Sequence, residues 1–370
     1  MRHAIHLAVV AGSEERKQDL VNVSQRPTVA LTLGDPAGIG PELMAKLLAR
    51  RDVIERAKVV LAGDAWLWEE GQAIAGVSVA TRTVHRFDEV RSFPDGSPLF
   101  LPVESVRPGE APRSTVSIAG GASVLKVLEM CLDAASAGLI DAICFAPLNK
   151  RSMIMAGMKF PDELHFFADH LKVSSYCCEF NTLGDLWTSR VSSHVALKDI
   201  GLYLTRERIL EAVKLLYDAL HLAGFEHPRV AVAALNPHGG EGGAYGREEI
   251  DIIAPAVREA NAEGYPVAGP FPADTIFLKA RDGQYDGIVT MYHDQGQIAV
   301  KLLGFERGVT VQGGLPIPIT TPAHGTAFDI SGQNKANVEA TVQAFLIACR
   351  MGASHRSRAG TNELMARHHE

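Results

Sequence analysis

The sequence has no apolar run of the ~18–20 residues that a membrane-spanning helix requires. It also has no block of basic residues, no internal repeat and no low-complexity tract. The missing basic block, together with a net charge of −7, gives no support for nucleic-acid binding. Cysteine is scarce: Cys131, Cys144, Cys177, Cys178 and Cys349 match no metal-ligand spacing. Their odd number argues against a disulfide framework and points to a reduced, cytoplasmic setting. No G-x-G-x-x-G follows a strand, and GEGGAYG at 240–246 fails the spacing, so a Rossmann dinucleotide site is unsupported.

What is present is ordinary globular composition, 46% hydrophobic and 21% charged over 370 residues. That length exceeds what one core usually serves, so two lobes are expected. The opening MRHAIHLAVVAG has the look of a weak signal peptide, but its apolar stretch is short and a polar segment follows. Residues 1–26 are therefore read as a disordered extension.

Apolar strands and periodic helices alternate along the rest. Strands are expected at Thr28–Leu33, Lys58–Gly63, Ile140–Ala146, Leu186–Ser193, Val230–Leu235, Gly287–Met291 and Val309–Val311. Helices are expected to begin near Pro41 and to cover Ser114–Ala137, Arg206–Ala223, Arg247–Ala262 and Lys335–Cys349. The Pro-rich stretch 93–113 reads as loops or a short hairpin. This alternation implies an α/β fold with a mainly parallel sheet, and the absence of a linker implies lobes that interleave.

Three histidines share one local setting, a loop after an expected strand: His194 in VSSHVALKD, His238 in ALNPHGGEGG and His293 in MYHDQG. Strand C-termini of a parallel sheet converge on one crevice, where ligands bind. Three imidazoles there would hold a divalent ion, zinc first among candidates, and leave it an open position. Asp294 would orient a ligand. Any one of these histidines alone is more simply a surface or capping residue, so the case rests on the three together. Asp35 is read as a cap for the helix near Pro41.

The chain resembles the 4-hydroxythreonine-4-phosphate dehydrogenase family of pyridoxal phosphate biosynthesis. The stretches that carry the likeness are GDPAGIGPE (34–42), APLNK (146–150), HVALKD (194–199), LNPHGGEGG (235–243), GPFPADTIF (269–277), MYHDQGQIAVKLLGF (291–305) and HGTAFDISG (324–332). The resemblance implies an isopropylmalate dehydrogenase-like fold of two interleaved α/β/α lobes with the active-site cleft between them. The lobes would be 27–142 plus 304–352 for the cofactor and 143–303 for metal and dimerisation. It implies His194, His238 and His293 as ligands of one divalent metal per site, and a homodimer with shared active sites. HGTAFDISGQNKAN looks like a cofactor loop, implying that His324, Gly325, Thr326, Ala327, Asp329 and Asn337 contact NAD, with NADP as the alternative. A tight loop capping the last helix is the competing reading of that segment. Lys301 resembles the family's substrate-contacting lysine, while Asp274 and Lys150 are weaker catalytic candidates that would equally serve as a helix cap and an ion pair.

One part departs from the family. Its phosphate-binding Gly-His-Thr-Glu aligns with Asp162, Glu163, Leu164 and His165, and two further substrate contacts align with Thr310 and Ile319. A phosphate needs donors or positive charge; Glu163 repels it and Leu164 offers nothing. His165 could replace one donor if the loop shifts. The resulting expectation is an NAD- and metal-dependent dehydrogenase that oxidises and decarboxylates a β-hydroxy acid. Leu164 and Ile319 in place of polar groups suit a flatter, less charged ligand. The loop GQIAVKLL (296–303) resembles the terephthalate cis-dihydrodiol dehydrogenase branch of the family. The substrate inferred is therefore an unphosphorylated cis-dihydrodiol carboxylate of aromatic catabolism, such as the terephthalate dihydrodiol. The alternatives are 4-hydroxythreonine-4-phosphate or a related phosphorylated sugar acid, a zinc hydrolase or lyase without nucleotide, and a non-catalytic binding protein.

Overall fold

In a computed structural model, residues 26–94 and 96–367 are described; the extension expected at 1–26 lies, but for Arg26, outside them. Twelve strands form one sheet. They are β1 (Thr28–Thr32), β2 (Lys58–Gly63), β3 (Arg82–Thr83), β4 (Leu99–Pro102), β5 (Ala142–Phe145) and β6 (Cys178–Leu183), then β7 (Leu186–Arg190), β8 (Val230–Ala233), β9 (Val267–Phe271), β10 (Gly287–Thr290), β11 (Val309–Gly313) and β12 (Ile319–Pro322). Their order is β3-β4-β2-β1-β5-β12-β11-β6-β7-β10-β8-β9. Among the described residues, antiparallel pairing is confined to β12–β11, β11–β6 and β6–β7. The flanks are parallel, as the alternation of strand and helix requires.

The strands are continuous apolar runs because both faces are covered. Val29 and Leu31 enter one core, whereas the intervening Ala30 enters another with Val60 and Val127. The helices that cover them are α1 (Gly40–Leu48), α2 (Ala65–Ala75), α3 (Ile118–Ser136), α4 (Lys150–Met155), α5 (Glu163–His170), α6 (Arg206–Leu222), α7 (Ala254–Ala262), α8 (Ala273–Arg281), α9 (His293–Gly304) and α10 (Glu339–Arg367). Helix α3 starts where Ser117 Oγ accepts the Gly120 amide at 3.0 Å. Its Gly121 lets α4 approach: a Cβ there would sit 2.0 Å from the Ser152 carbonyl oxygen.

Several elements differ from expectation. The strand in 93–113, β4, pairs parallel with β2 and β3 rather than in a hairpin, and α7 is preceded by a π-helical turn, Glu249–Ile253, so Arg247–Ala262 is not one regular helix. The last helix starts at Glu339 and runs well past Cys349. Asp35 does not cap α1; its Oδ1 accepts the Ala37 amide at 2.8 Å, closing a turn before the helix instead. The first half of the sheet takes β12 from the C-terminal part, so the chain does cross between halves. Strand β5, α4 and α5 pack with that first half.

Candidate active site

His194, His238 and His293 follow β7, β8 and β10, which are neighbours in the sheet and parallel through β10. Their exits are tied together. Ser192 Oγ donates to the Met291 carbonyl at 2.8 Å, and Gln295 Nε2 donates to the Ala234 carbonyl at 2.7 Å. The loop of His238 hangs from Glu249, whose Oε1 accepts the Leu235 and Asn236 amides at 2.8 and 2.7 Å. Burial alone would raise that carboxyl's pKa; these donors hold it below the ordinary value.

The His194 and His293 rings lie 5.8 Å apart, centroid to centroid. Two imidazoles bound to one ion at about 2.0–2.1 Å would have centroids of order 5–6 Å apart, so this pair fits a shared cation. His293 Nδ1 is 2.6 Å from Asp294 Oδ1, the partner that would orient the ring. His194 and His238 both hold left-handed backbone, with φ of 46° and 54°. That conformation is uncommon outside glycine and concentrates at functional sites. Burial pushes the His194 pKa down, toward the neutral imidazole a metal needs, against an upward pull from Glu179. The third ligand does not join them within one chain: among the described residues no three His, Cys, Asp or Glu side chains form a metal-holding group.

Beside His293 lies a cavity of about 280 Å³. Its wall includes Lys150, Glu163, Thr310, Lys301, His324 and Gly325 from the sequence-derived candidates. It also includes Glu179, Asn181, Arg190 and Gln297, which sequence reasoning missed. The available signal was charge and amide groups spaced by two in otherwise buried strands, at 179 and 181 and at the end of β7. Lys150 Nζ lies 3.2 Å from Glu163 Oε2. Burial pushes the Glu163 pKa up, with Lys150 pulling it down and Glu179 pushing it up again.

Leu164 and Ile319 are not on the cavity wall; they are 3% and 0% exposed. Ile319 lies opposite Ile143 in the middle of the sheet, while Thr321, two residues nearer the strand end, reaches the cavity. The sequence argument for a flat aromatic ligand drew on those two apolar side chains as well as on the loop 296–303, and it loses the two side chains. His165 is turned to Asp162, the cap of α5, whose Oδ1 accepts its amide at 3.0 Å. Asp274 sits exposed in the first turn of α8, away from the wall.

The segment 324–337 packs on the loop before α1. The Ile39 amide donates to the Thr326 carbonyl at 3.1 Å, and Ser331 Oγ donates to the Ala37 and Gly38 carbonyls at 3.1 and 3.0 Å. Glu42 Oε1 accepts the Ala336 amide at 2.8 Å. Ala327 is left-handed with φ 43°, Asp329 is exposed, and burial lowers the His324 pKa. Asn337 Oδ1 accepts the Glu339 amide at 3.0 Å, so this residue does help start α10.

An α/β sheet with a polar cavity at its strand ends, bordered by His293 and by the lysines Lys150 and Lys301, defines a small-molecule enzyme. Residues 55–348 match the family described as "Pyridoxal phosphate biosynthetic protein PdxA", and the chain belongs to that family. Its relatives are named dehydrogenases, and it is an oxidoreductase of that type. "Putative 4-hydroxythreonine-4-phosphate dehydrogenase 2" of Pseudomonas aeruginosa is 54% identical over 90% of this chain and 99% of its own. "Putative D-threonate 4-phosphate dehydrogenase" of Bradyrhizobium diazoefficiens is 40% identical over 88% and 96%. Among solved structures, a 4-hydroxythreonine-4-phosphate dehydrogenase from Klebsiella pneumoniae superposes with TM-score 0.78 at 33% identity, covering 89% of this chain and 98% of that one. A terephthalate 1,2-cis-dihydrodiol dehydrogenase from Burkholderia xenovorans gives 0.64 at 28%, covering 88% and 98%. Three of these four names specify a phosphorylated substrate and one the aromatic dihydrodiol. Among the described residues, no helix is long and apolar enough to cross a membrane.

Proposed function

We propose that the protein is an NAD-dependent, divalent-metal-dependent dehydrogenase of a four-carbon β-hydroxy acid phosphorylated at its far end. The substrate class is that of 4-hydroxythreonine-4-phosphate and D-threonate 4-phosphate, and CO2 is lost after oxidation. The observation that carries the reading is the single cavity bordered at once by His293, Lys301 and the His324–Gly325 turn. Its volume, about 280 Å³, suits a small acid. Its wall, with Lys150, Glu163, Glu179 and Arg190, suits an ionic, hydrogen-bonding molecule rather than a flat ring.

His194, His238 and His293 would hold the cation, zinc by the chemistry of three imidazoles. When bound, the cation would lower the hydroxyl pKa and polarise the new carbonyl, and the nicotinamide would take the hydride. The residues of the chain do the rest. Lys301, on α9 beyond His293, neutralises the departing carboxylate's end of the substrate and supplies a proton to the carbon that loses CO2. The turn at 324–327, braced by Ile39 and Ser331, offers backbone groups to the cofactor.

The same reading makes the enzyme a homodimer that completes the metal site. Each histidine loop is followed by exposed apolar side chains: Leu197 and Leu202 at 72% and 79%, Tyr245 and Ile250 at 58% and 43%, and Ile298 and Leu302 at 61% and 83%. Apolar surface gathered beside the catalytic loops is what a partner subunit would cover. The test is NADH formation over a panel of 4-hydroxythreonine-4-phosphate, threonate and erythronate phosphates and cis-dihydrodiol carboxylates. It is run with and without a chelator, with zinc restored and NADP substituted. Turnover of the phosphorylated acids that stops with chelator is expected; turnover of the dihydrodiols alone would overturn the proposal.

A further inference from the structure

The family resemblance leaves one wall of the cavity unexplained. Strands β6 and β7 pair antiparallel and put Glu179, Asn181 and Arg190 on it. Arg190 is 5% exposed, yet it borders the cavity. Its Nη1 donates to Asn181 Oδ1 at 2.7 Å, its Nη2 to Glu179 Oε2 at 2.9 Å, and its Nε to Ser193 Oγ at 3.0 Å. Asn181 is held in turn by Gln297 Nε2 and by its own Nδ2, which donates to Thr310 Oγ1 at 3.3 Å. A guanidinium carries five N–H donors. Three are engaged here, and the fork is fixed on every arm, so one N–H on each Nη is left for a ligand.

Burying charge of this kind costs more than its pairing usually returns unless something else is gained. Three cations, Lys150, Arg190 and Lys301, and two carboxylates, Glu163 and Glu179, share the cavity wall. Glu163 Oε2 is buried without a hydrogen-bond partner, 3.2 Å from Lys150 Nζ. An immobilised planar fork with spare donors matches the geometry of phosphate oxygens. Lys150, held by a weakly satisfied carboxylate, is a second cation that an arriving anion could recruit. Burial raises the Glu163 pKa, so that its negative charge is the costliest on this wall.

We propose that Arg190, with Lys150 beside it, binds the phosphoryl end of the substrate and so replaces the grip lost at Asp162–His165. The inference rests on the phosphorylated substrate class proposed above. It makes Arg190 a specificity-determining residue, and Glu179, Asn181 and Ser193 the positioning residues that aim it. Glu163 then acts against binding, as a competitor for Lys150.

The test compares D-threonate 4-phosphate with D-threonate, as substrate or competitive inhibitor, on wild type, R190K, the double variant R190Q/E179Q and E163Q. Thermal melts check that each is folded. R190K keeps the charge but loses the fork, and the double variant removes both charges and keeps the shape. Both are expected to raise KM for the phosphorylated acid by about 10–100-fold, the range of one or two charge-assisted hydrogen bonds. Their kcat should change little, and the constant for D-threonate should stay within about threefold. E163Q should lower KM for the phosphorylated acid, and inorganic phosphate should inhibit wild type competitively but not R190K. Equal losses on both acids in a folded Arg190 variant would overturn the inference. So would a raised KM in E163Q, which lies on another element and reads out even if the Arg190 variants do not fold. A wild type that turns over no phosphorylated acid would instead sink the function proposed above.

Discussion

Asp35 offers a perturbation whose size follows from its surroundings. It is 1% exposed; Oδ1 accepts the Ala37 amide at 2.8 Å, while Oδ2 has no partner. Burial drives its pKa from 3.8 up to about 6, against a smaller downward pull from the Ala37 amide and Ser152. A carboxyl whose folded pKa exceeds its unfolded one stabilises the fold below the unfolded value. That contribution is lost as pH rises from about 4 through about 6. At about 1.36 kcal/mol per pKa unit, the ionised group costs the fold roughly 3 kcal/mol above that window. Asp35→Asn keeps the acceptor for Ala37 and removes the charge, at a cost of about 1 kcal/mol for its unmet amide donors. Urea unfolding of both proteins between pH 4 and pH 8 measures this. The variant should be slightly less stable near pH 4 and more stable by about 2 kcal/mol at pH 8. A stability difference that does not change with pH, or a variant weaker at pH 8, would refute the reasoning.

Three other predictions are independent of that carboxyl. If the metal site is shared, His194→Ala and His238→Ala should each abolish turnover, and co-refolding the two inactive variants should restore part of it in mixed dimers; no recovery argues for a site within one chain. Leu302→Glu places charge on an 83% exposed apolar residue and should shift the protein toward monomer in sedimentation, with activity falling in parallel. Gly121→Ala would put its Cβ 2.0 Å from the Ser152 carbonyl oxygen, forcing α3 and α4 apart. Overpacking of this kind costs about 1–3 kcal/mol, and because Lys150 begins α4, KM should rise as well as Tm fall.

Much of the fold is legible along the chain because the strands are buried on both faces. β2 is marked end to end by the apolar run of Lys58–Gly63, and β7, β8 and β10 stop within three residues of where their runs suggest. The histidines after those three strands could likewise be read as one set, since a parallel sheet delivers its strand ends to one edge. The antiparallel centre was less visible. β6 mixes Glu179 and Asn181 into a short strand and β12 is only four residues long, so neither carries a clean period.

The sequence by itself determined the class of fold and the family, because these follow from local periodicity and from motifs that stay together along the chain. Only the tertiary structure decided which neighbours those residues have. It withdrew Leu164 and Ile319 into the core, brought His194 beside His293 without His238, and set Arg190 and Glu179 on the cavity wall beside Lys150 and Glu163. The reason is that strand pairing and helix packing join residues more than a hundred positions apart, and no local pattern records which side chains then meet.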